Sequence, residues 1–333
     1  MPQLYEITTL SNSSRAVWDQ CKRKYGYAYA MRRRPAHEPE HLAFGKAMHR
    51  ALYCYHSLGE AAAARALSND QELGFITELQ HVQAWCLMAG YDARWGTSQP
   101  LRYEHRELKF RLPILGSRLV HVGERDLIAW LDALGEPKLF NVEHKTTSRD
   151  ISPGSDYWRH VMSLDSQVSV YQDASSRDGK PVEGTIYDVI RKPSFEPQKA
   201  TPEDAKKYTV PTRKDPTPRL YKGMRETDES IEEYRLRLLK DISERPWHYY
   251  ARQIITRTKR EIDEHLNEVQ LVADGIERAV TASHSYAFNA AYPRSPSQCN
   301  KYGSLCAYHD VCSGIGDIDG PAFVTKEETE VST

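Results

Sequence analysis

The sequence lacks the features that direct a chain into a membrane or out of the cell. It begins MPQLYEITTL, which has no basic segment followed by a long apolar run, the pattern of a secretory signal. No stretch approaches the roughly 18–20 apolar residues that a membrane span needs. We therefore expect a cytoplasmic protein with no membrane partner. In that reducing compartment its six cysteines favour metal ligation or free thiols over disulfide bonds.

An excess of charge, a nucleotide-binding loop and internal repeats are also absent from the sequence. The formal net charge is −1, so any nucleic acid would be bound by local basic patches rather than by the field of the whole molecule. No GxxxxGK[ST] motif is present, and ATP-driven unwinding of a duplex would therefore require a partner protein. At 333 residues and 40% hydrophobic content, the chain has the composition of a globular protein with a hydrophobic core.

Hydrophobic periodicity predicts a helical opening, a small sheet and a helical close. Apolar residues recur at helical spacing over 44–55, and EAAAARAL (60–67) is rich in helix formers. Three runs rich in apolar residues then predict strands: YEHRELKFRLPI, RLVHVGERDLIAWL and KLFNVEHKTT. A helix over about 158–177 and a fourth strand over 182–192 follow. SIEE (230–233) is a capping box that begins a further helix.

We expect one α/β domain over 1–320, with two less regular segments. Residues 191–228 contain six prolines and ten Lys or Arg against six Asp or Glu. This composition predicts a basic insertion that either follows DNA or is simply a surface loop. Residues 321–333 are predicted to form a polar, frayed tail.

The run LFNVEHKTT carries chemical information. Side chains alternate between the faces of a strand, so Phe140 and Val142 point toward a core while Glu143 and Lys145 share the other face. That pair alone is compatible with a simple ion pair at a wet surface. Asp126, however, is embedded in the apolar strand GERDLIAW, where a carboxylate is costly unless it is paired or bound to a metal.

Asp126 and Glu143 lie about one hairpin apart and can meet across paired strands. Two carboxylates can hold a hard divalent cation such as Mg²⁺. A lysine beside them, here Lys145, can orient a metal-bound water or polarise a scissile phosphate. These three residues are the minimum apparatus for metal-assisted hydrolysis of a phosphodiester bond.

GERDLIAW, VEHKT and QVSVY together resemble the Asp, Glu-x-Lys and Gln-x-x-x-Tyr motifs of PD-(D/E)XK nucleases of the RecB-like group. The resemblance implies a restriction-endonuclease-like core, in which helices flank a small mixed β-sheet. It makes Asp126 and Glu143 metal ligands and Lys145 the catalytic lysine, although family members more often have Asp at the position of Glu143. Gln167 and Tyr171 share one helix face, and in this group the pair lies beside the active site and helps to position the DNA.

FGKAMHRAL (44–52) resembles the Gly-x-x-x-His element of the same group and makes His49 a candidate metal ligand. A lone helical histidine is more often a surface or core residue, and the order of the motifs gives this one its weight. An imidazole ligand would make Mn²⁺ a good activator beside Mg²⁺, because nitrogen donors suit transition metals.

Three cysteines fall within the fourteen residues CNKYGSLCAYHDVC (299–312). Their spacing is too loose for a CxxC zinc knuckle or a ferredoxin run. Cys54 and Cys86 have apolar neighbours and are interpreted as small buried hydrophobic residues.

The stretch NSSRAVWDQCKRKYGYAYAMRRR resembles the N-terminal segment of RecB-like nucleases that carry an iron–sulfur cluster. The resemblance implies a [4Fe–4S] cluster on Cys21, Cys299, Cys306 and Cys312, which would join the helical N- and C-terminal segments. The alternative is zinc, bound by the four cysteines or by three of them with His309.

Cations and aromatic residues alternate in the same N-terminal stretch. Lys22 to Lys24 and Arg32 to Arg34 surround Tyr25, Tyr27 and Tyr29, a pattern that suits phosphate contacts and base stacking on a single strand. A solvated helix face with its tyrosines packed inward explains the same pattern equally well.

These observations predict a Mg²⁺- or Mn²⁺-dependent DNA exonuclease that acts on single-stranded DNA or DNA ends, in recombination, repair or CRISPR adaptation. The resemblance places it in the cytoplasm of a prokaryotic or phage-infected cell, with a possible helicase, recombinase or CRISPR-adaptation partner. Two alternatives stay open: a catalytically idle iron–sulfur subunit that binds DNA for assembly, and a zinc-containing RNA nuclease.

Overall fold

A computed structural model describes residues 4–37, 40–96, 98, 101–133, 136–210, 217–301 and 303–326. The strands are β1 (Thr9–Ser11), β2 (Arg33–Pro35), β3 (Arg102–Pro113), β4 (Val120–Ala133), β5 (Glu136–Thr147), β6 (Gly184–Arg191), β7 (Tyr250–Ile255) and β8 (Phe323–Thr325). The α-helices are α1 (Asn12–Gln20), α2 (Lys22–Tyr25), α3 (Glu40–Leu58), α4 (Glu60–Glu72), α5 (Glu78–Trp95), α6 (Asp156–Leu164), α7 (Ser166–Arg177), α8 (Ile231–Glu244), α9 (Pro246–Tyr249), α10 (Lys259–Ser285), α11 (Phe288–Ala291) and α12 (His309–Ser313). A π-helical turn covers Gly26–Ala30, and 3₁₀ turns cover Glu203–Ala205 and Pro296–Gln298.

Six strands form one mixed sheet in the order β1-β4-β5-β6-β7, with β3 also paired to β4. The β3-β4-β5 meander is antiparallel, β1 runs parallel to β4, and β6 runs parallel to β5. The parallel β5–β6 pair requires a crossover, which α6 and α7 provide. The fold is therefore the mixed sheet with flanking helices that the sequence predicted.

Helices cover both faces of this sheet. On one face, α3, α4, α5 and α8 form an apolar cluster that reaches Ile190 of β6 and Tyr250 of β7. On the other face, Trp158 of α6 and Val168 of α7 pack against Tyr187 and Val189 of β6. The site residues of β5 lie between these layers, so helices enclose them on both sides. Among the described residues, no helix is long and apolar enough to cross a bilayer.

The four predicted strands and the helical first third are confirmed, but two expectations for the middle of the chain need correction. The single helix expected over 158–177 is two helices, because Asp165 is extended (φ −69°, ψ 109°) and its side chain caps α7 by accepting from the N–H of Gln167. The capping box at 230–233 is present: Ser230 and Glu233 bond reciprocally at the start of α8.

The predicted tail contains a strand that the sequence analysis missed. Phe323–Thr325 pairs antiparallel with Arg33–Pro35 to form a separate two-stranded sheet. Phe323 is buried and its ring stacks on Tyr308 at 5.3 Å. The tail is therefore not frayed at its beginning, because an apolar side chain and backbone pairing hold it. Residues 327–333 lie outside the described part of the chain.

The insertion after β6 is mainly irregular, with one isolated bridge between Tyr208 and Leu220. Several of its cations bind carboxylates within the same region. They include Lys199 with Asp228, Lys206 with Glu203 and Glu226, and Arg225 with Glu233. These ion pairs favour the surface-loop interpretation over a DNA track, since the charges are already neutralised locally. Residues 211–216 of the insertion lie outside the described residues.

Candidate active site

The predicted carboxylates meet where β4 and β5 separate. Backbone pairing of the two strands runs from Ala133 and Glu136 to Leu127 and Val142. The next residues along each strand are Asp126 and Glu143, and at this point the N–H of His144 donates to Asp126 Oδ2 at 2.8 Å. A carboxylate thus takes the place of a backbone acceptor, and both acids lie at the fork between the strands.

Glu143 is an acid without a balancing environment. Its side chain is only 2% exposed, and Oε2 has no hydrogen-bond partner. Burial and the neighbouring Asp126 carboxylate raise the pKa of Glu143 to about 8, although Lys145 acts in the opposite direction. Two close carboxylates, one with an orphaned buried oxygen, fit a divalent cation, which would neutralise both.

Lys145 lies next to Glu143 and forms an ion pair with its Oε1. The lysine side chain is about one-third exposed, so it reaches the cleft. Burial lowers the pKa of the ammonium, but Glu143, Asp126 and Asp165 outweigh this effect and raise the pKa overall. Lys145 is therefore a fixed positive charge beside the two acids.

A chain of hydrogen bonds continues from this lysine across α7. Lys145 Nζ donates to Gln167 Oε1 at 2.7 Å, Gln167 Nε2 donates to the Tyr171 hydroxyl at 2.6 Å, and that hydroxyl donates to the Glu124 carbonyl at 2.7 Å. Gln167 and Tyr171 are one turn apart on the helix face toward the site, as their spacing predicted. The pair holds the lysine and ties α7 to β4.

His49 approaches from the helix that crosses the strand fork. Its Nδ1 is 3.7 Å from Asp126 Oδ1, and 40% of its side chain is exposed. The surrounding protein lowers the pKa of the imidazole, partly countered by Asp126 and reinforced by His144 and Lys145. A neutral imidazole at this place has the protonation state that metal ligation requires.

These side chains line a cleft of about 840 Å³. The start of α1 contributes Ser11 and Asn12 to its wall, and β3 contributes Lys109 and Arg111, which lie on the same face of the strand. The sequence analysis did not single out these two cations. Their i, i+2 spacing on a strand next to an acidic strand is the signal that pointed to them. Acids at the base and cations on the wall suit a polyanionic substrate.

Asp165 is a second residue that the sequence analysis missed. Its Oδ1 accepts from the N–H of Gln167 at 2.8 Å, and its Oδ2 accepts from the hydroxyl of Tyr187, which lies beside Glu143 in the β5–β6 pairing. The carboxylate also acts electrostatically on Glu143 and Lys145. Its position before Ser166 and Gln167, where an N-cap Asp is favoured, was the available signal.

Within the described residues, no group of three or more His, Cys, Asp or Glu side chains has donor atoms already converged on a metal position. The fit of a cation thus rests on the two acids and the orphaned oxygen of Glu143.

The family comparison agrees with this arrangement. The sequence model of the PD-(D/E)XK nuclease superfamily matches residues 9–313, nearly the whole chain. The chain belongs to the PD-(D/E)XK nuclease superfamily. A search of curated proteins found no match. Members of this superfamily are nucleases that act on nucleic acids and generally use Mg²⁺ or Mn²⁺.

In this PD-(D/E)XK protein, four cysteines from the two ends of the chain lie together. Burial raises the pKa of the Cys299 thiol, and the neighbouring Cys306, Cys312 and Cys21 sulfurs raise it further. The N–H of Ser295 donates to Cys21 Sγ at 3.4 Å, and the N–H of Cys306 donates to the Cys299 carbonyl at 2.8 Å. Four mutually interacting thiols are the donor set of a cluster or zinc site.

The remaining cysteines and His309 lie elsewhere. Cys86 is fully buried in the helical core, as predicted, and Cys54 is half-buried. His309 is 3.1 Å from its neighbour Asp310.

The N-terminal tyrosines of the nuclease are packed inward. Tyr25, Tyr27 and Tyr29 are each less than 10% exposed, and Tyr27 stacks between Phe288 and Tyr308. Arg23 is also buried and donates to backbone carbonyls near α11. The interpretation of these tyrosines as base-stacking residues is therefore wrong, because their rings form the core between the two ends of the chain.

Proposed function

We propose that this nuclease is a metal-dependent deoxyribonuclease, an exonuclease that acts on single-stranded DNA or DNA ends. The observation that carries the proposal is the strand fork, where Asp126 and Glu143 lie side by side with Lys145 in a cleft with cationic walls. Membership of the superfamily supports hydrolysis of a nucleic acid. The choice of DNA over RNA and of ends over internal bonds rests on the RecB-like resemblance of the motifs.

In this proposal Asp126, Glu143 and His49 hold one or two Mg²⁺ or Mn²⁺ ions. A bound cation would lower the pKa of a water and neutralise charge that develops on the phosphate. Lys145, held between Glu143 and Gln167, positions the attacking water beside the phosphate. Gln167 and Tyr171 keep that ammonium in place and steer the strand, while Lys109 and Arg111 contact neighbouring phosphates.

A substrate panel tests the proposal. Single- and double-stranded DNA and RNA, each linear with labelled ends or circular, are incubated with Mg²⁺ or Mn²⁺. We expect release of labelled nucleotides or short products from linear DNA, with circular single strands resistant. Cleavage of RNA alone would favour an RNA nuclease, and no cleavage of any strand would favour an idle DNA-binding subunit.

Site variants connect cleavage to the fork. Asp126→Ala and Lys145→Ala should each reduce cleavage by at least about 10²-fold, the typical loss when one group that stabilises the transition state is removed. Glu232→Ala is the matched control, since this acid on α8 forms an exposed pair with Arg235. Near-normal cleavage by either fork variant would contradict the assigned roles.

We also propose that Cys21, Cys299, Cys306 and Cys312 bind a [4Fe–4S] cluster with a structural role. Four thiolates are the usual ligand set of such a cluster. Anaerobic purification followed by an absorption spectrum and counts of iron, sulfide and zinc tests this assignment. About four irons with a band near 400 nm support the cluster, whereas one zinc per colourless chain supports the alternative.

A further inference from the structure

Behind the catalytic strand, six side chains from six different elements form a buried polar group, called here the rear cluster. Its members are His56 (α3), Tyr91 (α5), Tyr103 (β3), His144 (β5), Asp188 (β6) and Arg252 (β7). All except Tyr103 are more than 90% buried. Polar groups so deeply buried are costly unless they bond to one another.

Asp188 is the anion of the rear cluster. Its Oδ2 accepts from the Tyr91 hydroxyl at 2.5 Å and from Arg252 Nη2 at 3.0 Å, and it is 3.3 Å from Nδ1 of His144. Although burial opposes ionisation, Arg252 and His144 keep the pKa of Asp188 below its usual value. The carboxylate therefore fixes the ring of His144 from the sheet side.

His56 fixes the same ring from the helix side. The two imidazoles are stacked, with centroids 5.0 Å apart and planes inclined by 15°. His56 Nδ1 is hydrogen-bonded to the Tyr103 hydroxyl, and its Nε2 is 3.4 Å from the hydroxyl of Tyr91. The ring of His56 is thus held at both nitrogens and on one face.

The rear cluster touches both halves of the candidate metal site. His144 stands between Glu143 and Lys145 on β5, and its N–H holds Asp126 while its side chain points to the opposite face. His56 follows His49 by seven residues, which is two turns, so both lie on the same side of α3. The stack of His56 on His144 therefore joins the helix that carries His49 to the strand that carries Glu143.

From this geometry we infer that His56 is a positioning residue: its stack on His144 and its bonds to Tyr91 and Tyr103 set the separation of α3 from β5, and so place His49 beside Asp126 for metal binding. The inference rests on the proposed role of His49 as a ligand. The exposed imidazole of His49 has little packing of its own, so the helix backbone determines where it lies.

Binding of Mn²⁺ measured by loss of the free-ion electron paramagnetic resonance signal tests the inference without relying on cleavage. His56→Ala should weaken Mn²⁺ binding by about tenfold or more and raise the Mn²⁺ concentration for half-maximal cleavage equally, with kcat at saturating Mn²⁺ changed less than about threefold. His56→Phe, which keeps a planar ring on His144, should recover most of the affinity. A merely structural role would lower the melting temperature and leave Mn²⁺ affinity unchanged.

Two further variants separate the possible failures. His49→Ala should weaken Mn²⁺ binding directly, and His248→Ala, which removes a ring-stacked histidine outside the rear cluster, should bind Mn²⁺ normally. If His49→Ala weakens binding and His56→Ala does not, the inference is overturned and the proposed function stands. If His49→Ala binds normally, the ligand role of His49 and the inference both fall. Should His56→Ala not fold, His56→Leu, which keeps volume without a planar ring, decides in its place.

Discussion

At the scale of single residues, Glu143 determines how the site responds to pH. Its pKa in the folded, metal-free protein is about 8, against an ordinary value of 4.5. Because the folded state holds this proton more tightly, Glu143 contributes stability that is present below pH 4.5 and is lost as the pH rises through 8. A cation that replaces the proton restores the lost stability.

Added Mg²⁺ should therefore raise the melting temperature more at pH 9 than at pH 6.5, since at the lower pH the metal must displace a proton from Glu143. Thermal unfolding at both pH values, with and without Mg²⁺, measures this difference. In Glu143→Gln the Mg²⁺ effect should be small and independent of pH. An equal stabilisation of the wild-type protein at the two pH values would show that Glu143 is not the group displaced.

The hydroxyl of Tyr171 accepts one bond in the Lys145 chain and donates another. Tyr171→Phe keeps the ring against Phe110 and removes both bonds. A lost hydrogen bond of this kind has a net effect of about 1 kcal/mol, so we expect cleavage to fall by about three- to tenfold. Steady-state kinetics checks the magnitude, and Tyr157→Phe, on the neighbouring helix, should change the rate less. An unchanged rate in Tyr171→Phe would mean that the chain does not hold the lysine.

At the scale of elements, the break between α6 and α7 positions Gln167. The cap on α7 should be measurable as stability: Asp165→Ala should lower the free energy of unfolding by about 1 kcal/mol, whereas Asp165→Asn, also a good cap, should lower it by a few tenths at most. Denaturant unfolding gives both values. Cleavage should follow the same order, because a frayed first turn displaces Gln167 from Lys145. Equal stability of the two variants would contradict the capping role.

The elements also show what the sequence could predict. Period-two alternation around Phe140, Val142 and Glu143 identified β5 and its two faces correctly, because burial of one strand face is written in adjacent residues. The break at Asp165 was hidden, since the helical pattern of apolar residues continues through it. The short strands β1 and β8 were missed because three residues carry no period, and their partners lie far along the chain.

Residue types alone could not reveal how the N-terminal tyrosines are used. The same alternation of cations and rings suits a stacked nucleic acid and a packed core. Only the proximity of Phe288 and Tyr308, more than 250 residues away in the chain, decides between them. The motifs at Asp126, Glu143 and Lys145 were easier to interpret, because they depend on local alternation and one hairpin.

At the scale of the whole molecule, the two ends of the chain form one apolar unit with the four cysteines at its edge. Cys306 and Cys312 pack against the cluster that contains Tyr25, Tyr27 and Phe323. If the cysteines bind a metal or cluster, its loss should loosen this unit before the main sheet. Cys21→Ser should therefore make the segments around 21–37 and 296–320 sensitive to protease while β3 to β6 resist, as peptide mapping would show. Cys54→Ser, outside the group, is the control, and identical digestion of the two variants would exclude the role.

The pairing of β8 with β2 has its own signature in stability. Phe323→Ala should remove a buried ring and lower the free energy of unfolding of this unit by about 3 kcal/mol. Val324→Ala on the same strand should cost less than about 1 kcal/mol, because Val324 is 38% exposed. Hydrogen exchange of the amides in 33–35 reads the effect locally. Similar exchange in the two variants would mean that Phe323 does not anchor the strand.

The same strand pair also affects the order of events during synthesis. Thr325 is made 292 residues after Arg33 (325 minus 33), its partner in the pairing. At about 5–20 residues per second, ribosomes need on the order of 15 to 60 s to reach it. Throughout that interval the N-terminal tyrosines have no C-terminal rings to cover them, and contacts so distant in sequence form slowly. A nascent chain can thus assemble its sheet early, yet it exposes an aromatic surface, the kind that chaperones bind, until almost the last residue is added.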